Sequence, residues 1–95
     1  MHEELFKALS NGQEFSLKFK GAKTPLTLLE TDNGFVLHGF FNNDEEDIKN
    51  LAESEVLDKD RGEIVHFNED EDYVSINFEK KELLKVLDNS KYYMC

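Results

Sequence analysis

Two runs of carboxylates dominate the chemistry open to this sequence. Asp44-Glu45-Glu46-Asp47 and Glu69-Asp70-Glu71-Asp72 each place four acids in succession with no cation between them. Clustered carboxylates can hold a hard cation, move protons or meet a basic surface. A calcium loop of the EF-hand kind needs glycine at its sixth position, where the backbone turns sharply. Counted from Asp58, Asp60 and Glu69 take suitable offsets, but Gly62 falls one place early and Glu63 occupies the sixth position. Counted from Asn68, Asp70, Asp72 and Glu79 fit, with no glycine in the loop at all. No metal site and no cofactor are expected.

Proton transfer makes a different demand, because a catalytic carboxyl needs a desolvated cleft to raise its pKa. No acid here sits inside an apolar run. His38 and His66 fall in strand-like stretches, and His2 lies at an N-terminus expected to be mobile. Cys95 is the sole cysteine, so a disulfide framework within the monomer is excluded. It also lacks a neighbouring histidine or a helix N-terminus that would generate a thiolate. The glycines are scattered, leaving no glycine-rich phosphate loop. The chain reads as a non-enzyme, which leaves recognition of a basic surface.

The charge distribution supports that remaining option. The 95 residues carry 21 acids and 11 Lys or Arg, a net charge of −10. Residues 26–78 hold 15 of the acids against Lys49, Lys59 and Arg61, whereas both ends are slightly basic. Direct nucleic-acid binding is disfavoured without a basic patch. A protein that binds nucleic acid is a different matter. Duplex DNA presents one charge per ~1.7 Å of axis, on the order of 18 over the roughly 30 Å that a chain of this length spans. Fifteen acids held on one face would match that number in order of magnitude.

The elements that must position these residues follow from periodicity. Residues 1–95 are expected to form one domain. Glu3 to Ser10 reads as a helix, stopped at Asn11-Gly12. Phe15, Leu17 and Phe19 alternate with polar residues as a half-buried strand. Strands follow over 26–31 and 35–41, joined at Asp32-Asn33-Gly34, where an Asn-Gly pair suits a tight turn with positive φ. Asn43 is placed to cap a second helix, with Glu46 completing a capping box. Asp44 to Asp47 then fall in its first turn, complementing the helix dipole and facing solvent, while Ile48, Leu51, Ala52 and Val56 face inward. Glu63 to Phe67 and Val74 to Phe78 read as two more strands, with the second acidic run near the tip between them. Glu82 to Asp88 closes the chain as a helix burying Leu83, Leu84 and Leu87, with Tyr92 and Tyr93 beyond it. The order α-β-β-β-α-β-β-α implies an α+β fold, an antiparallel twisted sheet with helices on one face. Its core should include Phe15, Leu17, Phe19, Leu28, Leu37, Ile48, Leu51, Val74, Ile76, Phe78, Leu84 and Leu87.

In size, in its helix–three-strand–helix opening over 3–56, in the Asp32-Asn33-Gly34 hairpin and in its two carboxylate runs, the chain resembles small acidic phage-type inhibitors. The resemblance is closest to anti-CRISPR proteins that act as DNA mimics in the cleft of the effector nuclease. It implies that Asp44, Glu45, Glu46, Asp47, Glu69, Asp70, Glu71 and Asp72 contact a site that recognises DNA or RNA. The implied partner is a basic nucleic-acid-binding protein, a nuclease, met by a monomer or weak dimer. An immunity protein that neutralises a cognate toxin nuclease would share this physics, and a general protein-interaction module is the third reading. No apolar run approaches the ~18–20 residues of a membrane span. No basic stretch followed by an apolar run opens the chain, so a location in the cytoplasm of a bacterial host is expected.

Overall fold

Period-two alternation in the first half of the chain builds three strands after an N-terminal helix. They are α1 (Glu3–Ser10), β1 (Phe15–Phe19), β2 (Leu26–Thr31) and β3 (Gly34–Asn42). Then come α2 (Glu45–Glu53), β4 (Gly62–His66), β5 (Glu71–Phe78), α3 (Lys80–Asn89) and β6 (Tyr92–Met94). The computed structural model describes residues 2–89 and 91–94; Cys95 lies outside the described residues. The strands form one sheet in the order β4-β5-β3-β2-β1-β6, with every neighbouring pair antiparallel. The fold is α+β in the expected order, extended by β6. Among the described residues no helix is long and apolar enough to cross a membrane.

One face of the sheet carries the core. Leu17, Phe19, Leu26, Leu28, Phe35, Leu37, Phe41, Val74, Ile76 and Phe78 alternate inward and are buried. The helices cover them with Leu5, Phe6 and Leu9 from α1, Leu51 from α2, and Leu83, Val86 and Leu87 from α3. Three expected core positions fall elsewhere. Phe15, at the start of β1, is only partly buried. Ile48 is 39% exposed, because α2 turns Asp47 inward instead. Leu84 is only half-buried, and Val86 takes the deeper place on α3.

Local geometry corrects three boundaries. The β2–β3 register pairs Thr31 with Gly34, so Asp32 and Asn33 are the turn. They keep negative φ, and Gly34 carries the positive φ of 143° that the turn requires. The cap of α2 is Asp44, one residue later than Asn43; its carboxylate accepts the Asp47 N–H at 2.8 Å. The last three described residues pair with β1, Tyr92 opposite Phe19 and Met94 opposite Leu17, making an edge strand of a segment too short to show a period.

The end of α2 carries strain that a substitution can release. Val56 N–H reaches the Leu51 carbonyl and Glu55 N–H the Ala52 carbonyl, both at 3.0 Å, the paired closure that ends many helices. The residue between helix and loop is Glu55 at φ 61°, a conformation that costs an L-residue roughly 1–2 kcal/mol and glycine little. Glu55→Gly is expected to raise stability by about 0.5–1 kcal/mol in urea titrations. Loss of the exposed Lys85–Glu55 pair, 3.5 Å long, offsets little of this. Gly62 presents the opposite case. A Cβ there would stand 2.0 Å from the Ser75 carbonyl oxygen and 2.8 Å from Ile76 Cα. Gly62→Ala should therefore destabilise by about 1–3 kcal/mol or more. Hydrogen exchange would show the loss first in β4, and unchanged protection there would contradict the close approach.

Candidate functional site

The carboxylate runs lie far apart in the chain, yet the sheet brings them to one end. Antiparallel pairing sets Phe41 opposite Asp72 and Asn42 opposite Glu71, so β3 ends where β5 begins. Asn43 then ties the two together. Its N–H donates to the Asp70 carbonyl at 2.9 Å and its side-chain amide to Asp72 Oδ1 at 3.3 Å. All eight carboxylates predicted for partner contact therefore belong to one neighbourhood, but they do not share one role.

In the first run, Glu45 and Glu46 are exposed and Asp44 half-buried. Asp47 is fully buried, which corrects the reading of this run as a solvated face. Its carboxylate accepts the Lys23 N–H at 2.9 Å and the Asn42 N–H at 3.2 Å. Burial pushes the Asp47 pKa up, against the lowering effect of those donors. Asp44 is held below the ordinary aspartate range, first by its hydrogen bond from the Lys23 ammonium and then by the Asp47 N–H. The same contact raises the Lys23 pKa. Lys23 is remote from this run in sequence, so the pairing of a cation with it was not legible there.

In the second run, Glu69 and Asp70 are exposed at the tip, while Glu71 and Asp72 are half-buried within β5. The turn itself is made by Asn68. Its Oδ1 accepts the N–H groups of Asp70 and Glu71 at 2.9 and 2.8 Å, and its amide donates to Glu71 Oε1 at 3.1 Å. An asparagine that satisfies following N–H groups lets a tight turn form without glycine. Asp72 also meets His66 Nδ1 at 3.0 Å. The carboxylates that project to solvent at this end are thus Glu45, Glu46, Glu69 and Asp70.

Of the remaining acids of residues 26–78, Glu63 lies on the outer face of β4, but most do not extend this patch into a single face. Glu30 and Asp32 belong to the β2–β3 hairpin, and Asp58 and Asp60 precede β4; both regions lie at the other end of the strands. There Arg61 pairs with Asp58 at 2.7 Å and with Glu82. The charge is concentrated at one end of the sheet and partly neutralised at the other.

Next to the acidic end, the solvent face of the sheet carries a feature that the sequence analysis passed over. Val65, Tyr73 and Phe40 stand in one cross-strand row on β4, β5 and β3. Phe67, just past β4, lies over Phe40 with centroids 4.7 Å apart, and Phe40 meets the Tyr73 ring at 5.1 Å. The Tyr73 hydroxyl is 3.0 Å from His38 Nδ1. Phe67 is 61% exposed, Val65 50% and Phe40 41%. A signal was present: in a strand, the adjacent pairs Phe40-Phe41 and Ile64-Val65 must point to opposite faces, so one member of each must leave the core.

His2 borders a groove of about 850 Å³ between α1 and α3. Far from hanging free, His2 places Nδ1 2.9 Å from the Tyr92 hydroxyl and Nε2 2.8 Å from Asp88. Both ring nitrogens are engaged, so the histidine serves to tie α1 to α3 and β6. Among the described residues no group of three or more His, Cys, Asp or Glu is placed to hold a metal ion. No protein-family model, curated protein or solved structure matches the chain.

The two roles within the first run separate experimentally. Asp47→Ala leaves the part-buried N–H groups of Lys23 and Asn42 without their acceptor, at about 1 kcal/mol or more for each. Asp47→Asn tests the pH dependence. An acid whose pKa is raised by folding binds protons more tightly in the folded state, so its stabilising contribution is full below its unfolded pKa and declines as pH rises through the folded one. Denaturant titrations from below the aspartate range to neutrality should show the parent losing stability relative to Asp47→Asn as pH rises. A constant difference would contradict burial as the dominant effect.

Proposed function

We propose that this protein is a non-enzymatic acidic inhibitor that docks in the nucleic-acid-binding site of a basic nuclease, in the manner of small anti-CRISPR proteins. The observation that carries this reading is the meeting of the two carboxylate runs at one end of the sheet, fastened through Asn43. Glu45 and Glu46 project from the first turn of α2, and Glu69 and Asp70 from the adjoining hairpin tip. Carboxylates gathered at one end of the sheet offer a basic groove negative charge of the kind it evolved to hold. A backbone frame fastened beforehand also removes part of the ordering cost of association. The field of a chain with net charge −10 steers a basic partner toward this end.

A toxin nuclease and a CRISPR effector nuclease would both meet this chemistry, and the partner itself separates the immunity reading from the anti-defence one. The decisive variant neutralises the solvent-facing carboxylates alone: Glu45→Gln, Glu46→Gln, Glu69→Gln and Asp70→Asn together. Among the described residues none of the four side chains supplies a hydrogen bond to the frame. The loss of two first-turn charges from α2, at about 0.3–1 kcal/mol each, is opposed by relief of like-charge repulsion, so the variant should still fold. Parent and variant are each tethered and exposed to bacterial lysate at low and high salt. The retained nuclease is then purified for kinetics and for competition with duplex DNA. Expected are retention of the nuclease by the parent at low salt, displacement by DNA, and association at least about tenfold slower for the variant. A folded variant that binds and excludes DNA as the parent does would sink the proposal.

A further inference from the structure

We propose that the exposed aromatic face beside the acidic end is an arginine-binding surface, the contact through which a protein partner's arginine side chains dock. This deepens the function proposed above and rests on it for the basic character of the partner. Phe67, Phe40 and Tyr73 form a connected group of rings at 4.7 and 5.1 Å, with Val65 in the same row and much of the group open to solvent. Glu63 and Glu71 occupy the same face of the sheet, and Glu69 and Asp70 follow Phe67 directly in the chain. Aromatic rings bordered by carboxylates complement one side chain in particular. A guanidinium is planar, stacks on ring faces and presents a fork of N–H donors to a carboxylate, whereas a lysine ammonium is a strongly hydrated point charge.

Charge also decides against the other occupants of an apolar sheet face. A second copy of this chain would set Glu63, Glu69, Asp70 and Glu71 against the same acids of its mate. Single-stranded nucleic acid stacks on aromatic residues in positively charged grooves, but here its phosphates would meet the carboxylates. An arginine-bearing protein surface uses the rings and the acids together.

The probes are an arginine homopeptide and a lysine homopeptide of equal length, titrated into the full chain while the aromatic ring resonances are followed by NMR. The arginine peptide should bind about three- to tenfold more tightly than the lysine peptide, with shifts at Phe40, Phe67 and Tyr73. Phe67→Ala, at a position 61% exposed, should fold normally and bring the two peptides to equal affinity. Phe67→Tyr, which keeps a ring, should preserve the difference. Equal affinities in the parent without ring shifts would overturn this inference and leave the acidic docking reading standing. Binding of neither peptide would overturn both. Concentration-dependent self-association that Phe67→Ala abolishes, or ring shifts caused by a single-stranded oligonucleotide, would reassign the face and overturn the arginine proposal.

Discussion

A buried carboxylate organises the acidic end of this molecule. The first N–H groups of a helix have no partner within it, and α2 starts almost at once after β3 ends. Asp47 resolves the junction by turning inward, where it accepts from Asn42 at the end of β3 and from Lys23 in the loop before β2. One side chain thus joins a helix, a strand and a loop. Buried charge is tolerated only when hydrogen-bonded, and among the described residues no buried side-chain nitrogen or oxygen lacks a partner. The consequences spread outward. Ile48 is rotated toward solvent, the Lys23 ammonium is delivered to Asp44, and Asn43 is set where it can reach Asp70 and Asp72.

Carboxylates crowded at one place repel one another, and the fold limits that cost in several ways. Asp44 caps α2, and Glu45 and Glu46 lie in its first turn, where the helix dipole favours negative charge. Asp72 is met by an amide and an imidazole, and Glu71 by the Asn68 amide. The side chains left to water are those for which solvation is cheapest. What remains is a small set of projecting acids on a frame held by hydrogen bonds that do not depend on them. A frame of this kind can lose the charges without losing the fold.

The sheet is two-sided in chemistry. Its inner face is continuous with the helices, so the apolar inward side chains from Leu17 on β1 to Ile76 on β5 are closed to water. Among the described residues no helix covers its outer face, which bears Phe40, Phe67, Val65 and Tyr73 at the end where the acids gather. Rings in mutual contact lose less surface to water than the same rings scattered, which is why such a cluster can persist in the open. Apolar anchors within a charged rim are also the composition of many protein contact surfaces.

Much of this protein was legible in the order of its residues. Alternation placed β1 and β2 at their observed bounds, and helical spacing found α1, because those signals arise within a few residues of chain. The acidic runs and their candidacy were equally plain, since charge is a property of composition. Depth was not. Asp47 and Ile48 are adjacent on one helix, and which of them turns inward depends on two N–H donors supplied by β3 and by a loop remote in sequence. The same holds for the meeting of the two runs and for β6: pairing between distant segments comes from the sheet's topology, and a short strand gains its hydrogen bonds only when β1 is already there to receive it. Local sequence decides which faces a segment can offer; tertiary contacts decide which of those faces is buried, and against what.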